Sequence, residues 1–373
     1  MEVDEYINEK IKLQNLFLDY VDNELDENEN YGSLIDYFTT SKIAENKEEI
    51  RCLFHFLNII SNNHHRSPNF FQKIEKIISY FEKSFKDSFS NIEIIDLFWC
   101  NKRILLYLYE SHIIIFDPID MYQRWLNSNI KNIHKFVYFY PEIKLCIDDP
   151  IMLGKIEEFL PHESNFDDFD KKRKIGENDS YICLLIRNDM VVEFISYVNR
   201  ANIQVSSMKI KPSIFETNSI LLKFEETTLI EYAAFFGSIQ IFQYLRMSNV
   251  ELTPSLWIYA IHSRNAELIH LLEEIHVSNT FQTCFEESLK CHHNEIANYI
   301  LDNNCNDANL KKYYLEDKFA IDCCLYSYNY SYFDNFINDE SFFFYLCKYD
   351  YVYLCKLFMK TKNEECKQII VLI

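Results

Sequence analysis

An all-α helical-repeat solenoid, with further helices ahead of the repeats, is the fold class that this chain of 373 residues predicts. Three observations carry the prediction. A helical pair near residue 230 is restated downstream at nearly constant spacing, and an internal repeat decides architecture before any single motif does. Only 4 glycines and 7 prolines occur, too few for a turn-rich all-β protein. Hydrophobic residues make up 48% of the chain and aromatic ones 16%, which suits a continuous packed core and excludes a disordered chain.

The template is residues 228–245, TLIEYAAFFGSIQIFQYL. Leu229, Tyr232, Ala233 and Phe236 fall at i, i+3, i+4 and i+7 on one helical face, and Thr228 with Glu231 has the spacing of a capping box. Gly237 ends that helix, and Ile241, Phe242, Tyr244 and Leu245 mark a second short stripe. Residues 255–272 repeat the pattern at an offset of 27, with Leu256, Tyr259 and Ala260 on the first helix and Leu268 and Leu272 on the second. A further offset of 28 reaches residues 283–300, where Ser288 takes the small position of Ala233 and Ala260. Small side chains at one column let neighbouring helices approach closely. Weaker copies begin at Phe319 and Ser341, offset by 36 and then 22, with Cys324 and Leu346 at the small column. Residues 181–198 fit upstream once a one-residue shift is allowed between their two helices. Thr253-Pro254 stands two residues ahead of the second unit's matched cap and predicts an earlier start for that helix.

TLIEYAAFFGSIQIFQYL resembles the ankyrin repeat, whose pattern is Thr-Pro-Leu-His-x-Ala-Ala, then Gly, then a second helix rich in Val, Ile and Leu. IEYAAFFGSIQIFQYL, ELTPSLWIYAIHSRNAELIHLLEE and KCHHNEIANYI resemble more narrowly a divergent ankyrin-like family, present in many copies in some parasitic protists and without an assigned activity. SNNHHRSPNFFQKIEKI and NKRILLYL, in the N-terminal part, are similar to the same family. The resemblance implies stacked helix pairs over nearly the whole chain and a protein-binding role. Residues 228–300 carry its specific part. Arg264 and His292 replace the turn glycine of the later units, and the Gly-Ala-Asp loop of ordinary ankyrin units is absent, which leaves their β-hairpin fingers unsupported here.

Around the template, residues 1–160 read as a helical N-terminal region, either degenerate repeats or a cap on the first repeat face. Residues 6–21 are amphipathic, and the acidic DNELDENEN after them reads as a solvated turn. Ile50, Leu53, Phe54 and Leu57 mark one helix; Phe71, Ile74, Ile78 and Phe81 mark the next. Residues 92–109 form a pair broken at Asn101-Lys102 and closed by Asp117-Pro118. Residues 161–180 read as a polar linker, and 181–373 as the repeat array with an irregular insertion at 199–227.

Charge and motifs narrow the function. With 37 basic against 57 acidic residues the net charge is −20, which repels nucleic acid and anionic membranes and suits a protein partner, a basic one included. The acidic start lacks an apolar signal core, and no apolar run approaches the length of a membrane span. The 12 cysteines are then expected as reduced thiols of a cytoplasmic monomer, with Cys284, Cys291, Cys324 and Cys347 at core positions. Lys171, Lys172, Arg173 and Lys174 would serve as a nuclear signal, although a solvated loop is the commoner source of such a run.

Glycine spacing excludes a P-loop and a dinucleotide fingerprint, and neither H-E-x-x-H nor G-x-S-x-G occurs. No catalytic residue, cofactor or metal is therefore expected. Cys284 and Cys291 read as a core stripe rather than zinc ligands, because no C-x-x-C sets a tetrahedral site. The pairs His64-His65 and His292-His293 read as polar turn residues. The aromatic tail from Tyr326 to Phe358 reads as core packing, since Asp334, Asp339, Glu340 and Asp350 outweigh Lys348 and Lys356. The apolar end, residues 368–373, is either docked on the final pair or an exposed edge.

Two functions remain. One is a non-enzymatic scaffold whose helices and loops offer an extended concave surface to a protein, with Arg246, Asn249, Arg264 and His276 choosing the partner. The other is a regulatory or effector enzyme with its chemistry in residues 1–160 and the repeats as targeting arm.

Overall fold

The computed structural model describes residues 2–23, 25–128, 133–160, 166–223, 227–278, 281–304, 318–339 and 341–361. These residues are helical without a strand, and an isolated antiparallel bridge joins Lys209 to Thr228. No helix among them is long and apolar enough to cross a membrane.

The helices run α1 (Glu2–Asp22), α2 (Glu27–Ser41), α3 (Lys47–Asn63), α4 (Phe70–Tyr80), α5 (Glu82–Ser88), α6 (Asn91–Phe98), α7 (Lys102–Glu110), α8 (Pro118–Leu126), α9 (Ile133–Tyr138), α10 (Tyr140–Cys146), α11 (Pro150–Glu157) and α12 (Phe166–Ile175). Then follow α13 (Tyr181–Arg187), α14 (Val191–Arg200), α15 (Ser219–Lys223), α16 (Leu229–Phe236), α17 (Ile239–Met247), α18 (Leu256–Ser263), α19 (Ala266–Glu274), α20 (Phe281–Lys290), α21 (Asn294–Asn304), α22 (Lys318–Tyr326), α23 (Phe342–Lys348) and α24 (Val352–Thr361).

Two compact units emerge: Met1–Ser84 with Thr253–Ile373, and Phe85–Leu252. The opening helices thus belong with the end of the chain, and the division does not fall at residues 161–180. In the first unit α18 pairs with α19, α20 with α21 and α23 with α24, while α18, α20, α22 and α23 pack on one another in succession. Helix α1 packs on α2, α4, α24 and the 3-10 turn Tyr330–Asn335. In the second unit α13 pairs with α14 and α16 with α17, with α13 against α16 and α14 against α17.

Local chemistry explains these pairs. Thr228 and Glu231 form the reciprocal capping box their spacing implies, and Gly237 closes α16 at φ 66°. The same left-handed residue ends the first helix of the other pairs, at Asp189, Arg264, His292, Tyr328 and Asp350. From Gly237 onward these positions are 27, 28, 36 and 22 residues apart. A second left-handed set ends α14, α17 and α19 at Asn202, Asn249 and His276. Asp189 precedes Gly237 by 48 residues but Asn202 precedes Asn249 by 47, so the one-residue shift lies between α13 and α14. The small column, Ala233, Ala260, Ser288, Cys324 and Leu346, is fully buried.

Within each unit a side-chain hydrogen bond links consecutive pairs at one further column. The residue after the left-handed one donates to the carbonyl three residues before the left-handed residue of the preceding pair. Ser238 Oγ donates to Ile186, His293 Nδ1 to Ile261 (2.8 Å), Asn329 Nδ2 to Leu289 (3.0 Å) and Tyr351 OH to Leu325 (2.8 Å). Each carbonyl also accepts from the amide of its own left-handed residue, so four different side chains fill its second lone pair.

Several expectations are corrected. Residues 27–30 of the acidic stretch open α2 rather than a turn, acidic side chains being favourable in a first turn. Asp117-Pro118 does not end a helical pair but starts α8, with Asp117 as N-cap and Pro118 at the first helical position. Helix α18 starts at Leu256, not earlier, because Thr253 and Pro254 form a turn accepting from the Leu256 and Trp257 amides. Residues 166–175 of the expected linker form α12, anchored by buried Arg173 on Glu142 (2.7 Å) and Asp170 (2.8 Å). Lys172 and Lys174 are ion-paired as well, so this basic run is folded rather than a free loop. Within residues 199–227, Ser219–Lys223 is helical. Cys347 is exposed, because Leu346 takes the core-facing column beside it. Residues 368–373 lie outside the described residues.

Candidate functional site

In the first unit three chain segments meet at a histidine corner. Helix α1 ends at Asp22, α3 ends with His64 in an extended conformation, and α20 turns into α21 through left-handed His292. The pairs His64-His65 and His292-His293 are thereby brought together although 228 residues separate His65 from His293.

His64 is buried and both its ring nitrogens face oxygen. Nδ1 lies 2.6 Å from the Cys291 carbonyl and Nε2 lies 2.8 Å from Asp22 Oδ1. A carbonyl only accepts, so Nδ1 carries a proton; Nε2 then meets a carboxylate oxygen and needs a cation there, a second proton or a metal ion. His293 donates from Nδ1 to the Ile261 carbonyl, which leaves its Nε2 lone pair facing His65 Nδ1 at 3.2 Å. The other nitrogen of His65 lies 3.5 Å from Asp22 Oδ1. The neutral His65 tautomer with Nδ1–H donates to the His293 lone pair.

The outer oxygen of Asp22, Oδ2, is held by Arg264, which also reaches Glu295 at 3.5 Å. Burial works against the Asp22 anion, but the hydrogen bond and charge of His64, with His65 and Arg264, hold its carboxyl down at about 2. Burial pushes His65 down to about 3, helped by the charge of His64, and burial pushes His293 well below the usual range. A cleft of about 350 Å³, lined by Asp22, Arg264, His293 and Glu295 among others, opens beside the corner. His292 stays out of the cluster, its ring edge-on to Phe56 at 5.4 Å between centroids.

Beneath the corner lies a second group. His262 Nε2 is 2.9 Å from Glu287 Oε1, and Cys291 Sγ is 3.5 and 3.6 Å from the two His262 nitrogens. Cysteine, histidine and carboxylate in that order evoke a nucleophile, its base and the base's support. The geometry does not make one. A sulfur equidistant from both nitrogens is not in line with either lone pair, and Cys291 and His262 are sealed from solvent. Burial raises the Cys291 thiol well above its usual range, the reverse of an activated thiolate.

The residues expected to choose a partner are scattered by comparison. Asn249 and His276 are exposed at their left-handed turns, Arg246 is half-buried on α17, and Arg264 is exposed but committed to Asp22. Both histidine pairs stood out in the sequence as words, yet Asp22 and the donor role of His293 carried no sequence signal. Compared with known proteins, the chain matches no family model, no curated protein and no solved structure.

Proposed function

We propose that this chain is a non-enzymatic protein-interaction scaffold built from ankyrin-like helix pairs. The observation that supports the reading best is the side-chain-to-carbonyl bond repeated at one column between consecutive pairs. A device reused with four different donors is what a stacked array needs, since each repeat can bury its apolar face only against a neighbour. The nearest approach to a catalytic constellation among the described residues, Cys291 with His262 and Glu287, is buried out of reach of any substrate. The net charge of −20 favours a basic protein as partner.

Asn249 ends α17 in the second unit and His276 ends α19 in the first, each in an exposed left-handed conformation, and these are the residues through which each unit would address a partner, with Arg246 on α17. The test is affinity capture with the intact chain against a chain carrying Arg246→Ala, Asn249→Ala and His276→Ala. Loss of a specific captured protein with unchanged circular dichroism is the expected result. Capture that survives the three changes would remove these residues from the interface, and turnover of a captured substrate would favour the enzyme reading instead.

A further inference from the structure

We propose that His64, His65 and His293, beside Asp22, form a transition-metal site, and that Zn²⁺ is the ion this donor set fits best. Imidazole donors without sulfur suit Zn²⁺ among the common divalent ions, and three protein donors leave the fourth tetrahedral position to a water or to the neighbouring carboxylate.

Three features of the corner point to a metal rather than to ordinary turn histidines. The first is orientation: His64 and His293 each anchor Nδ1–H on a backbone carbonyl, Cys291 and Ile261, and turn Nε2 into the cluster. Metal-bound histidines are oriented by such outer hydrogen bonds, and Arg264 on the far oxygen of Asp22 orients the carboxylate in the same way. The second is spacing. The donor atoms of the three histidines lie within 4.8 Å of one another. His65 Nδ1 to His293 Nε2 is 3.2 Å, and Asp22 Oδ1 is 2.8 Å from His64 Nε2. A zinc tetrahedron with bonds of about 2 Å has edges of about 3.3 Å, so histidine nitrogens that lie within 4.8 Å of one another would close in to seat the ion. The third is the facing of nitrogens: His293, with Nδ1–H on the Ile261 carbonyl, turns its Nε2 lone pair to His65 Nδ1 at 3.2 Å, next to His64. One divalent cation between the three rings would take a nitrogen of each as ligand.

The fold itself does not ask for this arrangement. At the equivalent turn of the second unit Ser238 provides the inter-pair hydrogen bond with a hydroxyl alone. His293 provides that bond with one nitrogen and offers the other to the cluster. The cleft beside the corner supplies an entry path. Bound there, the ion is a structural clip that fastens the end of α1 and the segment after α3 to the α20–α21 turn.

The full chain, stripped with a chelator and dialysed, would be titrated with Zn²⁺ in competition with a chromophoric chelator at neutral pH. One Zn²⁺ bound tightly per chain is expected, with a rise in the unfolding midpoint. His293→Ser, which keeps a hydroxyl donor like that of Ser238, and His65→Ala at the half-buried edge should each weaken binding by about tenfold or more. His276→Ala should leave it unchanged. Co²⁺ in place of Zn²⁺ should give the visible bands of a tetrahedral nitrogen and oxygen site without thiolate charge transfer. No binding by the well-folded wild-type chain would overturn the proposal, as would binding that survives both His65→Ala and His293→Ser, or a thiolate band assigning the ion to cysteine.

Discussion

The turn at Gly237-Ser238 in the second unit and the turn at His292-His293 in the first have the same backbone and different chemistry. In each, a left-handed residue ends the first helix, and the next side chain reaches back to the preceding pair. At 237–238 the cheapest residues are present, a glycine for the left-handed conformation and a small hydroxyl for the bond. At 292–293 two histidines occupy the same positions, and one of them joins His64, His65 and Asp22. The comparison separates what the helix pair requires from what one copy of it has been given in addition.

The largest test of the comparison is at the column donor itself. Asn329 donates to the Leu289 carbonyl and to Asn294, and it accepts from Gln14 in a buried network. Asn329→Leu removes three buried side-chain hydrogen bonds at once and should cost about 3–5 kcal/mol in denaturant unfolding. Ser238→Ala removes one hydrogen bond from the Ile186 carbonyl, which keeps the Asp189 amide, and should cost about 1 kcal/mol. Equal costs would show that the column serves the same purpose everywhere and would dissolve the distinction between the units.

Next in size is the response to pH. Glu287, in the first unit, is disfavoured as an anion by burial, but His262 and Lys290 outweigh that and hold it at about 2. Its folded value is below its unfolded one, so its contribution is complete above about pH 4.5 and is lost as pH falls toward 2, about 3 kcal/mol in all. Glu287→Gln should flatten that limb.

Lys102, in the second unit, behaves oppositely in range. Burial lowers it to about 7, against the attraction of Glu216 and with the repulsion of Lys135, while its Nζ donates to the Ile214 carbonyl at 2.6 Å. The native state therefore holds fewer protons than the unfolded chain between about pH 7 and 10, and stability rises with pH across that window by about 4 kcal/mol. Lys102→Met should remove the rise. Hydrogen exchange followed across pH would read each unit separately.

The smallest effects concern the left-handed residues. Gly237→Ala places a Cβ at φ 66° and should cost about 1 kcal/mol, whereas Asn249→Gly relieves φ 55° and should gain about 0.5 kcal/mol. A loss larger than that at Gly237 would mean that a neighbour, not backbone strain, sets the requirement for glycine there.

How much was legible differs by element. The pair α16–α17 was open to reading because a capping box, a helical stripe and a terminal glycine are relations over three to eight residues, set by the covalent spacing of the chain. The opening of α2 and the start of α8 were misread because acidic residues and proline serve equally as loop formers and as first-turn residues, and only packing chooses between them. Buried Arg173 looked like part of a basic loop because nothing local announces that Glu142 will meet it.

The amino-acid sequence by itself determined the all-helical character, the helix pairs of residues 228–300 and the small buried column, since periodicity is a local property, whereas the second element of the unit from Phe319 is a 3-10 turn. Only the tertiary structure decided that His64-His65 and His292-His293 would share a corner with Asp22 and that Cys291 would be sealed beneath them. Those relations span 228 residues between His65 and His293 and depend on where the apolar faces of α1 and α3 find burial, which no spacing along the chain encodes.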